Sequence, residues 1–131
     1  MTSYLLDTDV IINHLRGKKP IPEEIIESNL AISIITKAEL IYGAYKLKRP
    51  KTEINKINEF LDSLEIETIN ITDEVILNFG KLKNHLEKSD KRLSDFDLLI
   101  ASTALAYNLT LLTYNLKHYS RIPKLKLFSH I

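Results

Sequence analysis

Short apolar runs alternate along this chain with longer stretches of helical period, and that alternation leaves few architectures open. Residues 3–7, which include Tyr4-Leu5-Leu6, together with Leu30 to Ile35, Ile66 to Ile71 and Thr110 to Thr113, have the length and apolar character of strands. Between them, apolar residues return every three or four positions. They do so over residues 9–16, where Gly17 and the turn around Pro20 and Pro22 end the helix, and over Glu23 to Ser28. The same spacing predicts helices over Thr36 to Leu47, with Ile41, Ala44 and Tyr45 on one face, through Ile54, Ile57, Leu61 and Leu64, and through Val75, Phe79, Leu82 and Leu86. Ser94 opens a further helix carried by Leu98, Ala101 and Leu105, Asn108-Leu109 turns the chain, and Lys126 to Phe128 suits an edge strand. Strands repeatedly separated by helices imply an α/β domain with a central, mostly parallel sheet flanked by helices.

At 131 residues, without a repeat, linker or low-complexity tract, the sequence reads as one domain over residues 1–131. A chain of this size buries roughly two thirds of the surface its unfolded form exposes, so it needs no staples. It contains no cysteine, which fits a reducing cytosol and leaves no thiolate for zinc. Ser3-Tyr4-Leu5-Leu6 follows the initiator with no basic stretch, so no signal peptide is expected. No apolar run reaches the roughly 20 residues of a membrane helix; the expected location is the cytoplasm, away from membranes. Net charge is only +1. If several acids converge on one cleft, the remaining surface is positive, with Lys46, Lys48, Arg49 and Lys51 in one group and Lys88, Lys91 and Arg92 in another. Such patches either attract a polyanion or are ordinary solvated lysines.

Asp7 closes the first strand just before a helix begins. In a parallel sheet all strands end at one edge, and the helices that follow begin there, where ligands of open α/β sheets bind. Glu39 is expected in the first turn of the helix after the second strand, Asp97 with Asp95 in the first turn of the helix begun by Ser94, and Asn115 just after the strand ending at Thr113. Each also has a structural explanation. Thr36-Lys37-Ala38-Glu39 fits a capping box, and Asp9, Asp95 and Asp97 suit the positive ends of helix dipoles. Their convergence favours a shared function. Crowded carboxylates repel one another unless a cation lies among them, and an oxygen-only donor set suits Mg²⁺ or Mn²⁺ rather than zinc. Such a cleft is equipped for metal-assisted phosphodiester hydrolysis.

At these residues the sequence resembles the PIN-domain ribonucleases, and more narrowly the VapC toxins of type II toxin–antitoxin pairs. The likeness is carried by Tyr4-Leu5-Leu6-Asp7-Thr8-Asp9, by Thr36-Lys37-Ala38-Glu39-Leu40-Ile41-Tyr42-Gly43, by Asp95-Phe96-Asp97-Leu98-Leu99-Ile100-Ala101 and by Leu111-Leu112-Thr113-Tyr114-Asn115, in that order along nearly the whole chain. It implies a PIN-like three-layer domain and Mg²⁺- or Mn²⁺-dependent endoribonuclease activity. Asp7, Glu39 and Asp97 become the acidic triad that holds metal and activates water. Asn115 stands where many members carry a fourth acid, as a weak or water-mediated ligand, with Asp95 able to compensate. Asp9 is implied as support for the triad. Thr113 either orients water or Asn115, or is simply a satisfied strand-end hydroxyl. The resemblance further implies an RNA substrate, a homodimer, and a VapB-like antitoxin that fills the groove and supplies the contact to operator DNA.

Two other readings use the same residues. Asp7-Thr8-Asp9 resembles the nucleophile motif of haloacid-dehalogenase-like phosphatases, although no convincing later lysine and carboxylate pair accompanies it. A non-catalytic binding subunit would use the acids only as caps. Among the histidines, His14, His85 and His130 show no ligand spacing and are expected at the surface. His118 and Tyr119 either meet substrate, by phosphate contact or base stacking, or serve as rim and packing residues.

Overall fold

Adjacent leucines on the first strand point to opposite sides and so define the layers of the molecule. In the computed structural model, which describes residues 3–128, Leu5 and Leu6 of β1 (Ser3–Leu6) are both fully buried, each in a different core. His130 lies outside the described residues. The chain continues through α1 (Thr8–Leu15), the short α2 (Glu23–Ile26), β2 (Asn29–Ser33), α3 (Ile34–Tyr45) and α4 (Pro50–Ser63). β3 (Glu67–Ile69), α5 (Asp73–Lys88), α6 (Asp95–Ala106), β4 (Thr110–Leu112), α7 (Leu116–Tyr119) and β5 (Leu127–Phe128) complete it. The strands pair in the order β3-β2-β1-β4-β5, every pair parallel.

Leu6, Ile32 and Leu112 on one face pack with Val10 and Ile11 of α1, Leu40 and Ala44 of α3 and Ile57, Phe60 and Leu61 of α4. Leu5, Ala31, Ile69 and Leu111 on the other face meet Leu82 and Leu86 of α5 and Leu98, Ile100, Ala101 and Ala104 of α6. Fully burying one such leucine or isoleucine contributes roughly 1.5–3 kcal/mol. The middle strands are covered on both sides, so their sequences read as continuous apolar runs.

Several boundaries differ from the sequence reading for local reasons. Ser33, not Thr36, caps α3: its Oγ accepts the Ile35 N–H at 3.0 Å. The helix therefore starts two residues earlier, Thr36 is fully buried inside it, and Glu39 lies in its second turn. No capping box forms there. Tyr45 is 66% exposed, because Leu40 and Ala44 form the inward face instead. α4 and α6 stop at residues in the left-handed region, Glu65 (φ 53°) and Asn108 (φ 54°). Ile66 N–H reaches back to Leu61 O and Leu109 N–H to Ala104 O, both at 2.9 Å, satisfying final-turn carbonyls as each chain enters its next strand.

β1 sits at the sheet's centre, with β2 on one side and β4 on the other. Strand order reverses between β1 and β4, and a crevice opens there beyond the strand ends. The residues that follow those two strands are Asp7 and Thr113.

Candidate active site

Asp7 is both the last extension of β1 and the cap of α1. Its backbone N–H continues the ladder to Leu112 O at 2.9 Å, while Oδ1 accepts the Thr8 N–H at 2.9 Å. Its other oxygen, Oδ2, accepts the Thr113 hydroxyl at 2.7 Å. The carboxyl is 6% exposed. Burial, followed by the charge of Asp9 and, more weakly, of Asp97, pushes it up to about 7 against the donated hydrogen bonds.

Asp9 lies at the second position of α1 and joins the same strand end. Its Oδ2 accepts the Tyr114 N–H at 3.1 Å and stands 3.5 Å from Thr113 Oγ1. Burial raises its pKa, with a further contribution from Asp97. Its Oδ1 is buried with no hydrogen-bond partner among the described residues. Glu39 approaches from α3, its Oε1 accepting the Thr8 hydroxyl at 2.6 Å; that hydroxyl also lies 3.3 Å from Thr36 Oγ1. Thr8 thus joins two elements at the site, a role the sequence reading did not assign.

Asp97 stands in the first turn of α6, where its N–H donates to the capping Ser94 Oγ at 3.1 Å. The Tyr119 hydroxyl donates to its Oδ1 at 3.2 Å. Asn115 donates its backbone N–H to Thr113 Oγ1 at 3.0 Å, and its side-chain oxygen pairs with His118 Nδ1. Asp7, Asp9, Glu39, Asp97 and Asn115 all line one open cleft of about 530 Å³, together with Thr8, Ile12 and Tyr114.

Three residues fall elsewhere. Asp95 turns from this cleft to Lys83 of α5, with Oδ1 2.9 Å from Nζ, and so does not compensate for the neutral Asn115. Helical geometry explains this, since residues two apart do not share a face. Tyr119 is fully buried, which selects packing over substrate stacking or a place at the rim. The four-residue α7 that carries it was missed, although Asn115, Leu116, Tyr119 and Ile122 mark a helix start and an inward face. His14 is half-buried and engaged rather than free at the surface. Its Nδ1 accepts the Ile21 N–H at 2.9 Å, its ring lies 5.3 Å from that of Phe60, and burial lowers its pKa.

The donors lining the cleft are oxygens only, the kind a hard divalent cation takes. Among the described residues, no three His, Cys, Asp or Glu side chains form a ready-made cage for an ion. Magnesium requires none, since it commonly binds through one or two carboxylates and keeps several waters. Hard oxygen donors, the burial and neighbouring acids that raise Asp7, and the unused buried oxygen of Asp9 all suit a hydrated divalent cation.

Residues 4–125 match the PIN domain family. The chain is 38% identical over 128 residues to ribonuclease VapC2 of Rickettsia felis, covering 93% of both chains. Among solved structures, VapBC-1 of nontypeable Haemophilus influenzae contains a chain that matches with a TM-score of 0.88 at 30% identity over 98% of each chain. VapBC2 of Rickettsia felis, bound to a DNA fragment from its promoter, matches with a TM-score of 0.85 at 32% identity, over 97% of this chain and 98% of the other.

Proposed function

The chain belongs to the PIN domain family, among the VapC ribonucleases, and from that premise we propose that Asp7, Glu39 and Asp97 form the reactive centre of a Mg²⁺- or Mn²⁺-dependent endoribonuclease toxin. The observation that carries this reading is the convergence of acids from α1, α3 and α6 on one cleft, with Asp7 buried yet paired, among the described residues, only with the Thr8 N–H and the Thr113 hydroxyl. A buried carboxylate without a countercharge is costly, and a divalent cation is the partner this oxygen-lined cleft fits.

When bound, such a cation supplies Lewis acidity, making water nucleophilic near neutral pH and offsetting charge on phosphate. The chain's own residues place the acids for it. Thr113 fixes the Asp7 carboxylate, Thr8 fixes Glu39, and Ser94 fixes the backbone at Asp97. Asp9 supports the site through its link to Tyr114 and adds negative charge beside Asp7. Asn115, with its side-chain oxygen engaged by His118, contributes at most a water-mediated ligand. At the edges, Lys19 Nζ lies 4.7 Å from the centre of the Tyr114 ring, and Lys46 Nζ 4.4 Å from that of Tyr42. Cations and aromatic faces of this kind suit a single-stranded RNA segment.

The phosphatase alternative is not favoured. Asp7 is held by hydrogen bonds at both oxygens, as expected of a ligand rather than an attacking nucleophile, and the relative is a ribonuclease. A VapB-like antitoxin is the proposed partner, in keeping with the VapBC assemblies of similar fold, and operator DNA would be reached through it. Its seat is the groove that adjoins the cleft at Thr8, Ile12 and Glu39 and is lined by Tyr42, Leu47 and Phe96. Ile76 and Leu77 on α5 are 53% and 64% exposed and suit a homodimer face. Among the described residues no helix is long and apolar enough to cross a membrane, and the cytoplasm is the proposed location. Purified protein incubated with total RNA should produce discrete fragments with Mg²⁺ or Mn²⁺. Equal cleavage by the Asp7→Asn variant, or cleavage indifferent to a chelator, would overturn the metal reading.

A further inference from the structure

Asp97 is the acid whose backbone is fixed by its helix cap while its carboxylate is oriented from a different element. Ser94 secures only the N–H. The carboxylate is met by a hydroxyl that rises from the second core: the Tyr119 ring is fully buried among the side chains that include Leu5, Leu98, Ala101, Leu111 and Ile122. α7 is a single turn, and Tyr119 is its buried residue. We infer that Tyr119 is a positioning residue of the nuclease, its hydroxyl holding Asp97 Oδ1 so that the other oxygen faces a divalent cation in the cleft.

The inference rests on the metal reading of the cleft. Its physical basis is that a ligating carboxylate held by an outer donor loses less freedom on binding and presents one oxygen in a defined direction. Removing such outer partners typically weakens metal affinity or activity by about 10- to 100-fold. The donor's identity is secure. A phenol has one O–H to donate and a carboxylate only accepts, so the direction of the 3.2 Å bond follows from the groups themselves. A phenylalanine here would fill the same core space and leave Oδ1 without this donor, so the hydroxyl and the ring are separable.

Tyr119→Phe makes that separation, and Ile122→Val, which thins the same core, serves as the control. Mn²⁺ is titrated calorimetrically into wild type, both variants and Asp97→Asn, and melting is recorded with a chelator present. The expected result is that Tyr119→Phe melts near wild type but binds Mn²⁺ about 10- to 100-fold more weakly, with cleavage recovering as Mn²⁺ is raised. Ile122→Val should melt earlier and bind Mn²⁺ normally. Wild-type Mn²⁺ affinity in Tyr119→Phe, with binding lost in Asp97→Asn, would overturn the role of Tyr119 alone. Equal weakening in Ile122→Val would also overturn it, because the effect would then belong to core packing. Absence of Mn²⁺ binding by the wild-type protein would overturn the metal reading and this inference together.

Discussion

Thr113 and Asp7, 106 residues apart, share a buried hydrogen bond of 2.7 Å between the ends of neighbouring strands. The bond lies where strand order reverses, and the same hydroxyl accepts the Asn115 N–H. One threonine therefore sets both an acid and the turn that leads to α7. The Thr113→Val variant keeps the side-chain shape but removes both interactions. It should lose about 1–3 kcal/mol of stability and about 10- to 100-fold in metal affinity or cleavage rate, measured by urea unfolding and an RNA cleavage assay.

Asp7 itself should make the metal-free protein less stable at neutral pH. Its folded-state pKa is about 7 against 3.8 for the free group, so over that interval the folded chain keeps a proton the unfolded chain has released. Stability therefore falls as pH rises from about 4 to about 7 and stays lower above it, by at most about 4 kcal/mol. Asp7→Asn should flatten this dependence and, with chelator present, be more stable than wild type at pH 8. Its cleavage should drop by more than about 100-fold, beyond the usual cost of losing only an outer partner. Urea unfolding at pH 5 and pH 8 provides the check, since parallel curves for the two proteins would contradict the assignment.

His14 predicts acid sensitivity in a different window. Its Nδ1 must be unprotonated to accept the Ile21 N–H, and burial lowers its pKa below 6.5. A histidine depressed in the folded state contributes stability that is complete above the unfolded value and is lost as pH falls toward the folded one. His14→Gln should lose stability at pH 7.5 but show a shallower fall between pH 6.5 and pH 5. Nitrogen chemical shifts of the wild-type ring should report the Nε2–H tautomer.

Asp95 and Asp97 should behave oppositely despite their adjacency. Asp95→Asn breaks only an exposed pair with Lys83, so cleavage and melting temperature should stay near wild type. Asp97→Asn changes a carboxylate that lines the cleft and should abolish cleavage without unfolding the protein. A large loss of activity in Asp95→Asn would show that the Lys83 pair supports the site.

The layered α/β architecture was legible because strand length and helical period are local properties, and the strand that ends at Leu6 needs no distant information to be recognised. The convergence of Asp7, Glu39, Asp97 and Asn115 was legible for a related reason: in a parallel sheet, strand ends and helix starts share an edge. What escaped were choices made between segments. Ser33 and Thr36 are both plausible caps, and only the packing that buries Thr36 selects Ser33. Whether Asp95 compensates for the neutral Asn115 could not be decided locally, because its pairing with Lys83 joins α6 to a different helix. For Tyr119, substrate contact, rim and packing all stayed open, because nothing local shows that a one-turn helix inserts its ring beneath Asp97.

The central place of β1 also sets a clock on the protein's synthesis. Asp7 is made 106 residues before Thr113, yet its strand is flanked by β4 and its carboxylate is held by that threonine. At roughly 5–20 residues per second, the interval between those two residues is roughly 5–20 s. Throughout that time a nascent chain carries Asp7 without the partner that orients it. Destructive capacity thus waits until translation has passed Thr113, however early Asp7 itself was joined to the chain.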